Sequence, residues 1–337
     1  MSSSDLVFLT GASGFIGNHV AEALLCAGYR VRALVRPDGD ARGNKARRDI
    51  IPAAVEVVSG DLTRSGELAR AIDGCRFLVH CAALYSFAPR DRNAIERVNV
   101  AGTASLLDAA YVAGVERAVV TSSSATVGPA YNGRLATEAD HAPDGDHSAY
   151  HHSKMLQERA AAASRVPVVL LLPTAPIGPG DARPTPTGKL VLDFTAGKIF
   201  ARPPGEGGLN LVAVEDVAQA HVASLQRGRE RERYIIGGEN LSFGQLWQTL
   251  SDITGRRVPR WKVPYSLAMA FGYVDEARCL ALPRAVPFAP LEGVRMSRKR
   301  MYVDFSKAMT ELGHKPTSVR DALARAVAWY RARGYVA

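Results

Sequence analysis

Along the first half of the chain, short apolar runs alternate with longer stretches in which apolar residues recur at helical spacing. Residues 6–10 (LVFLT), 31–35 (VRALV), 55–58 (VEVV), 77–80 (FLVH), 118–122 (AVVTS) and 168–172 (VVLLL) have the length and composition of strands. Residues 14–27, 91–113 and 149–164 read as the helices between them. Near-continuous apolar strands separated by helices predict a parallel sheet covered on both faces, an α/β doubly wound architecture. The pattern changes at residue 173, where PTAPIGPGDARPTPTG is too dense in turn formers to be a regular element, and further Pro-rich segments follow at 202–208 and 282–290. A second, smaller C-terminal subdomain is expected there. Residues 211–225 read as strand plus helix and 233–236 as strand, which predicts a return to the main sheet before closing helices near Gln245, Tyr265 and Val319. The expected division is 1–172 with 211–236 for the main domain, and 173–210 with 237–337 for the smaller one. No internal repeat or low-complexity tract interrupts it.

The first strand runs into TGASGFIG, with glycines at Gly11, Gly14 and Gly17 and a helical pattern after them. Gly11 permits a tight turn, Gly14 lets backbone approach a pyrophosphate, and Gly17 lets the helix pack closely on the sheet, with the helix N-terminus facing the phosphates. The strand before and the helix after make this a dinucleotide site of Rossmann type. At the end of the second strand, where an acidic residue binds the ribose hydroxyls of NAD, the chain has Arg36, with Asp38 two residues on. Arg36 favours a 2′-phosphate and hence NADP; Asp38 keeps NAD open. Asp61, in the turn Gly60-Asp61-Leu62, is placed either to touch the adenine or to cap the next helix.

Tyr150 and Lys154 stand four apart at the start of a helical stretch, on one face and ~6 Å apart along the axis. A phenol is a poor acid or base at neutral pH, and an ammonium beside it favours phenolate, so the pair suits proton transfer coupled to hydride transfer. Ser122, Ser123 and Ser124, at the end of the fifth strand, supply a hydroxyl for the substrate oxygen.

TGASGFIG, GDL at 60–62, CAA at 81–83, VNVAGT at 98–103, TSSSATVG at 121–128 and YHHSK at 150–154 resemble, in that order, the extended short-chain dehydrogenases/reductases, the NAD-dependent epimerase/dehydratase family. The resemblance spans essentially the whole chain. PTAPIGPGDARPTPTGKL, LNLVAVEDVAQAH and YIIGGENLSF are similar to the group called hopanoid-associated sugar epimerases, itself similar to dihydroflavonol reductases. The resemblance implies a Rossmann fold with a C-terminal substrate-binding subdomain. It implies the catalytic set Ser123, Tyr150, Lys154 and Asn99, with Ser124 left open beside Ser123, and with Asn99 either supporting the site from its helix or serving helix packing. It also implies a cofactor set of Gly11, Ser13, Gly14, Phe15, Ile16, Gly17, Arg36, Asp61, Leu62, Ala82, Ala83, Tyr150, Lys154 and Pro173, and a homodimer through 91–113 and 149–164. The chain departs from the family at Val127, where tyrosine is usual.

Nucleotide-sugar members carry L-R-x-x-N-V-Y-G-P after the sixth strand. Residues 171–179 read LLPTAPIGP, so Leu172, Ala175 and Ile177 replace arginine, asparagine and tyrosine. The segment 261–274, WKVPYSLAMAFGYV, is apolar beyond what one buried helix face needs, which suits a hydrophobic pocket, a subunit contact or plain core. Both features point toward a weakly polar ketone or alcohol, of terpenoid or lipid-like type. Three functions follow as expectations: an NADP(H)-dependent reductase, a sugar epimerase, or a non-enzymatic NADP-binding redox sensor.

Composition narrows the setting. At 337 residues and 47% hydrophobic the chain affords a large core. It has no apolar run of the ~20 residues that span a bilayer, and it begins without a leader pattern, so a cytoplasmic protein is expected. The formal charge is +9, but the arginines are spread along the chain rather than gathered on one element, which argues against nucleic acid and suits an anionic cofactor or a membrane-associated substrate. Cys26, Cys75, Cys81 and Cys279 form no C-x-x-C pair, and the first three read as reduced core or near-core thiols. His141, His147, His151 and His152 lack ligand spacing, so no metal is expected.

Overall fold

The computed structural model describes residues 5–37, 48–86, 88–129, 133–143, 148–202, 205–282, 288 and 291–336. Asp38 and His147 lie outside them. The strands are β1 (Leu6–Thr10), β2 (Arg30–Val35), β3 (Glu56–Ser59), β4 (Phe77–His80), β5 (Arg117–Thr121), β6 (Val168–Pro173), β7 (Ala175–Ile177), β8 (Ala201–Arg202), β9 (Gly208–Ala213), β10 (Arg233–Ile236), β11 (Glu239–Ser242), β12 (Trp261–Lys262) and β13 (Arg300–Met301). The α-helices are α1 (Phe15–Cys26), α2 (Ser65–Ile72), α3 (Arg92–Glu96), α4 (Gly102–Val112), α5 (Ala149–Ala162), α6 (Pro186–Thr195), α7 (Val214–Arg227), α8 (Phe243–Thr254), α9 (Tyr265–Ala281), α10 (Leu291–Met296), α11 (Ser306–Leu312) and α12 (Val319–Ala332).

Seven strands form one parallel sheet in the order β10-β6-β5-β4-β1-β2-β3. Every residue of β1, β4 and β6 is buried, as continuous apolar runs require of strands covered on both sides. On one face α1 packs against α7, and Val20, Leu24, Val217 and Leu225 meet Val7, Leu9 and Val119 of the sheet. On the other, α2, α4 and α5 bring Leu68, Leu106, Leu107 and Ala161 against Leu6, Phe8, Leu78 and Val120. The chain is thus a doubly wound α/β fold, as the apolar pattern predicts.

The stretch 91–113 is helical throughout but not uniformly α. Residues Arg97–Ala101 form a π turn between α3 and α4.

The return to the main sheet starts later than 211. Strand β9 belongs instead to a smaller sheet with β7, β11 and β13, and only α7 and β10 rejoin the large one. An apolar run does not say which sheet it enters; β9 pairs with β7, β11 and β13, and Asn210, the polar residue within it, bonds to neighbouring segments. Its Oδ1 accepts from Thr174 Oγ1 at 2.9 Å and Gly238 N at 2.8 Å, and its Nδ2 donates to Asn240 at 2.9 Å. The small sheet buries Leu211 and Ile177 against Val191, Phe194, Trp247, Leu323 and Tyr330 of α6, α8 and α12.

Two further readings need correction. Cys26 is exposed at the end of α1, not near-core. Residues 261–274 are not plain core: in α9 only Gly272, Asp275 and Cys279 are buried, while Leu267, Phe271, Tyr273 and Val274 are exposed. Periodicity cannot orient a helix that is apolar on several sides. Among the described residues no helix is long and apolar enough to cross a membrane.

Candidate active site

With β1 flanked by β2 on one side and β4 on the other, the connections after β1 and β4 diverge and open a crevice at the carboxyl ends of the strands. Gly11 turns the chain there at φ +83°, and a Cβ on it would lie 2.7 Å from Ala82 N. A Cβ on Gly17 would lie 2.1 Å from Gly11 O, so α1 approaches the turn as closely as glycine allows. Gly14 is the N-cap of α1 and has no side chain to accept from the first turn, which leaves the amides of that turn without a side-chain cap beside the crevice. A dinucleotide fits these features: the backbone is cleared of side chains and a helix N-terminus faces the phosphate position.

The other expected cofactor residues surround the crevice. Ser13, Phe15 and Ile16 belong to the turn and the start of α1, Ala82 and Ala83 follow β4, and Pro173 ends β6. Arg36 is exposed just past β2. Asp61 Oδ1 accepts from Thr63 N and Thr63 Oγ1, both at 2.8 Å, an Asx turn ahead of α2 rather than its N-cap. Leu62 is buried beneath Gly102, where a Cβ would meet the leucine at 3.2 Å.

Ser148 caps α5 and sets Tyr150 in its first turn. One turn on, Lys154 is 2% exposed, and its Nζ donates to Thr121 O at 2.9 Å and Gln157 Oε1 at 2.8 Å, 5.8 Å from the centre of the Tyr150 ring. Burial pushes the ammonium down to about 8, with Glu158 and Cys81 acting against the shift. Burial raises the Tyr150 phenol well above its ordinary range. In the chain alone burial therefore favours the neutral phenol, while the Lys154 hydrogen bonds go to Thr121 and Gln157.

Those bonds continue into a buried chain. Gln157 Nε2 donates to Thr103 Oγ1 at 2.9 Å, and Thr103 donates to Asn99 O at 2.7 Å. His80 Nε2 lies 2.9 Å from Thr103 Oγ1 and its Nδ1 2.7 Å from Thr10 Oγ1. Since the Thr103 proton is committed to Asn99 O, Nε2 is the donor and Nδ1 accepts from Thr10. Burial and nearby Lys154 push His80 down to about 3, so it is neutral. A continuous polar line thus joins Lys154 to Thr10, the residue before Gly11.

Asn99 sits in the π turn, fully buried. It accepts from Leu84 N at 2.7 Å and donates to Leu84 O and Ser153 Oγ, each at 3.0 Å, and so ties the loop after β4 to α5. Ser122 is buried, and its hydroxyl bonds Glu158, which also accepts from Thr126 at 2.7 Å and faces Arg233 at 3.2 Å. Ser123 and Ser124 remain half-buried at the end of β5, and Ser123 Oγ accepts from Ala125 N at 3.2 Å. Val127 is core.

Several neighbours of the site escaped sequence reasoning. Tyr85, 42% exposed, packs on Tyr150 with ring centres 4.3 Å apart. His151 Nδ1 is 3.2 Å from Glu292 Oε1, which joins α5 to α10. Gln157 had a signal, its place three residues after Lys154 on the same helix; Tyr85 and Glu292 had none beyond Tyr85 following the CAA element. Leu172 and Ile177 are fully buried, and Ala175 is half-buried on β7.

Residues 7–237 match the NAD dependent epimerase/dehydratase family. A Synechocystis protein, named provisionally as a dihydroflavonol 4-reductase, is 40% identical over 100% of this chain and 97% of its own length. Sterol demethylase protein B of Methylococcus capsulatus is 33% identical over 97% of this chain and 99% of its own. The crystal structure of gox2253 superposes with a TM-score of 0.83 at 36% identity, covering 99% of this chain and 100% of that one. The chain belongs to the NAD dependent epimerase/dehydratase family and is an NAD(P)-dependent enzyme of the extended short-chain dehydrogenase/reductase type.

Proposed function

We propose, from that membership as premise, that the chain reduces a ketone or aldehyde carbonyl on a weakly polar substrate with NADPH, or runs the reverse oxidation of the secondary alcohol. The observation that carries this reading is the Tyr85–Tyr150 pair: the acid–base phenol stands against an aromatic ring 4.3 Å away, a wall suited to an apolar ring or chain. A relative named for a sterol supports a terpenoid or lipid-like substrate, and one named for a dihydroflavonol supports reduction of a ring ketone. Leu172 and Ile177, packed in core, offer no polar handle to a sugar nucleotide. Arg36 at the end of β2 supports NADP through its charge.

When bound, the nicotinamide supplies the hydride to the carbonyl carbon. The turn at Gly11, Ser13 and Gly14 and the amides of Phe15, Ile16 and Gly17 would hold the phosphates; Asp61, Leu62, Ala82, Ala83 and Pro173 would line the remaining length. Ser123 donates a hydrogen bond to the substrate oxygen. Tyr150 gives that oxygen its proton, and the Lys154 ammonium, charged below about pH 8, stabilises the phenolate left behind. Asn99 positions the loop and α5 relative to one another.

The test is NADPH and NADH oxidation against a panel of cyclic and long-chain ketones, with the copurifying cofactor identified. Turnover with NADPH is expected, and Tyr150→Phe should lower kcat by about 10²–10⁴-fold without weakening NADPH binding. Tightly retained NAD with substrate isomerised and no net redox change would instead establish the epimerase that the family description allows. NADPH binding without turnover, unaltered by Tyr150→Phe, would leave the redox sensor.

A further inference from the structure

Helix α9 is an amphipathic helix turned inside out. Its inner stripe is Gly272, Asp275 and Cys279, while Leu267, Phe271 and Val274, at i, i+4 and i+7, are 60%, 50% and 67% exposed. Phe288, also exposed, meets Phe271 edge-on with centroids 6.0 Å apart, and exposed Trp261 lies just ahead of the helix. Scattered exposed apolar residues are ordinary; a contiguous stripe of them marks an interaction surface.

The rotation of the helix is held in place. Asp275 Oδ1 accepts from Arg278 Nη2 at 2.6 Å and Nε at 2.9 Å, and Oδ2 accepts from Phe288 N at 2.6 Å. Arg278 turns with the helix, but Phe288 lies outside it, so turning the apolar stripe inward would tear the carboxylate from Phe288 N. The stripe therefore faces outward by construction.

Its surroundings say what covers it. Residues 256–300 hold ten Arg or Lys against three Asp or Glu, a net +7 within a chain whose total is +9. Arginines occur throughout the chain, but elsewhere acids nearly balance them. Arg260, Arg298, Lys299 and Arg300 are exposed, Lys262 is exposed and paired with Glu206, and the Arg298 guanidinium lies 4.7 Å over the ring of Tyr265, the first residue of α9. A second copy docking through this stripe would set one basic belt against another, which like-charge repulsion opposes. An anionic headgroup layer complements the belt, and the acyl boundary beneath it accepts the apolar stripe. At 17 residues α9 is not long and apolar enough to cross a bilayer.

We propose that α9, with Trp261, Phe288 and the flanking basic residues, is a docking surface for an anionic lipid bilayer. Leu267, Phe271 and Val274 enter the acyl boundary; Arg298, Lys299 and Arg300 engage lipid phosphates. The face adjoins the substrate side of the fold: α9 packs on α10, whose Glu292 meets His151 next to Tyr150. Docking there sets the catalytic helix beside the membrane, where an apolar substrate dissolves. The proposal goes beyond the reductase reading and stands without it.

Co-sedimentation of the full chain with phosphatidylglycerol–phosphatidylcholine vesicles and with pure phosphatidylcholine vesicles, in the absence of any substrate, tests it. Binding to the anionic vesicles is expected to exceed that to the neutral ones by about tenfold and to fall as salt rises. The double variant Phe271→Asp, Val274→Asp should lose about tenfold in binding, with its Tm and NADPH titration unchanged. The triple variant Arg298→Glu, Lys299→Glu, Arg300→Glu should lose the salt-sensitive part alone. No binding to either vesicle, or binding indifferent to both variants, overturns the proposal. So does light scattering in which the Phe271/Val274 variant converts a dimer to a monomer, which would give the face to a second copy.

Discussion

Helices α5 and α9 each bury one charged side chain and then diverge. Lys154 of α5 bonds Thr121, 33 positions earlier in the chain, and through Gln157, Thr103 and His80 it reaches Thr10. Asp275 of α9 is satisfied by Arg278, three residues on, and by Phe288. A buried charge whose partners come from distant strands gathers a site around itself. A buried charge paired within its own helix and tied once to a nearby loop, as Asp275 is to Phe288 N, holds one face inward and leaves the opposite face to be used.

The widest test of that contrast is Lys154→Ala. It leaves Thr121 O and Gln157 Oε1 without their donor and removes the charge that stabilises the Tyr150 phenolate. NADPH-dependent kcat/KM should fall by about 10²-fold or more; turnover within a few-fold of the parent would make Lys154 a packing residue and erase the distinction. Asp275→Ala should act the other way round, lowering the unfolding free energy by about 1–3 kcal/mol in urea titrations with kcat/KM retained. An unchanged urea midpoint would mean that α9 is not pinned by its carboxylate.

The smallest effect sharpens the contrast through pH. Lys154 is depressed to about 8 in the folded chain against about 10.4 when unfolded. Between these values the unfolded state binds the extra proton, so stability should rise with pH from about 8 to about 10.4, the reverse of a favourably paired lysine. Over the same range activity should fall, with a midpoint near pH 8, as the ammonium is lost. Lys154→Met should flatten the stability trend, and a thermal-melt series with paired rate measurements reads both.

Much of this was legible in order along the chain. The strands of the main sheet were, because strands buried on both faces must be continuously apolar, and so was the glycine turn, because only glycine tolerates φ +83° against Ala82 N. Tyr150 and Lys154 were legible because one helix holds both. What escaped was set by partners far apart in sequence. In the small sheet Asn210 of β9 bonds Thr174, Gly238 and Asn240, and nothing in LNLVA names that sheet. Tyr85 and Glu292 reach the catalytic helix from a loop and from α10. Even the protonation of Tyr150 followed from its burial, which spacing alone does not encode. For α9 the composition was plain, but which face turns inward was not: Gly272, Asp275 and Cys279 are buried, and Asp275 is tied to Phe288 N.

The π turn at Arg97–Ala101 has a mechanical consequence. Each residue advances an α-helix by ~100°, so the wider turn acts as a phase shifter between two helices that otherwise run as one. Downstream, Leu106 and Leu107 keep their angular address in the core; upstream, Ile95 keeps its own. Removing one residue from the turn would leave the composition of both helices intact and rotate one against the other, so that Asn99 and Ile95 could no longer both be seated. The segment therefore tolerates substitution at its outward positions but not a change of length, and homologues that keep the clamp on Leu84 and Ser153 should keep the count.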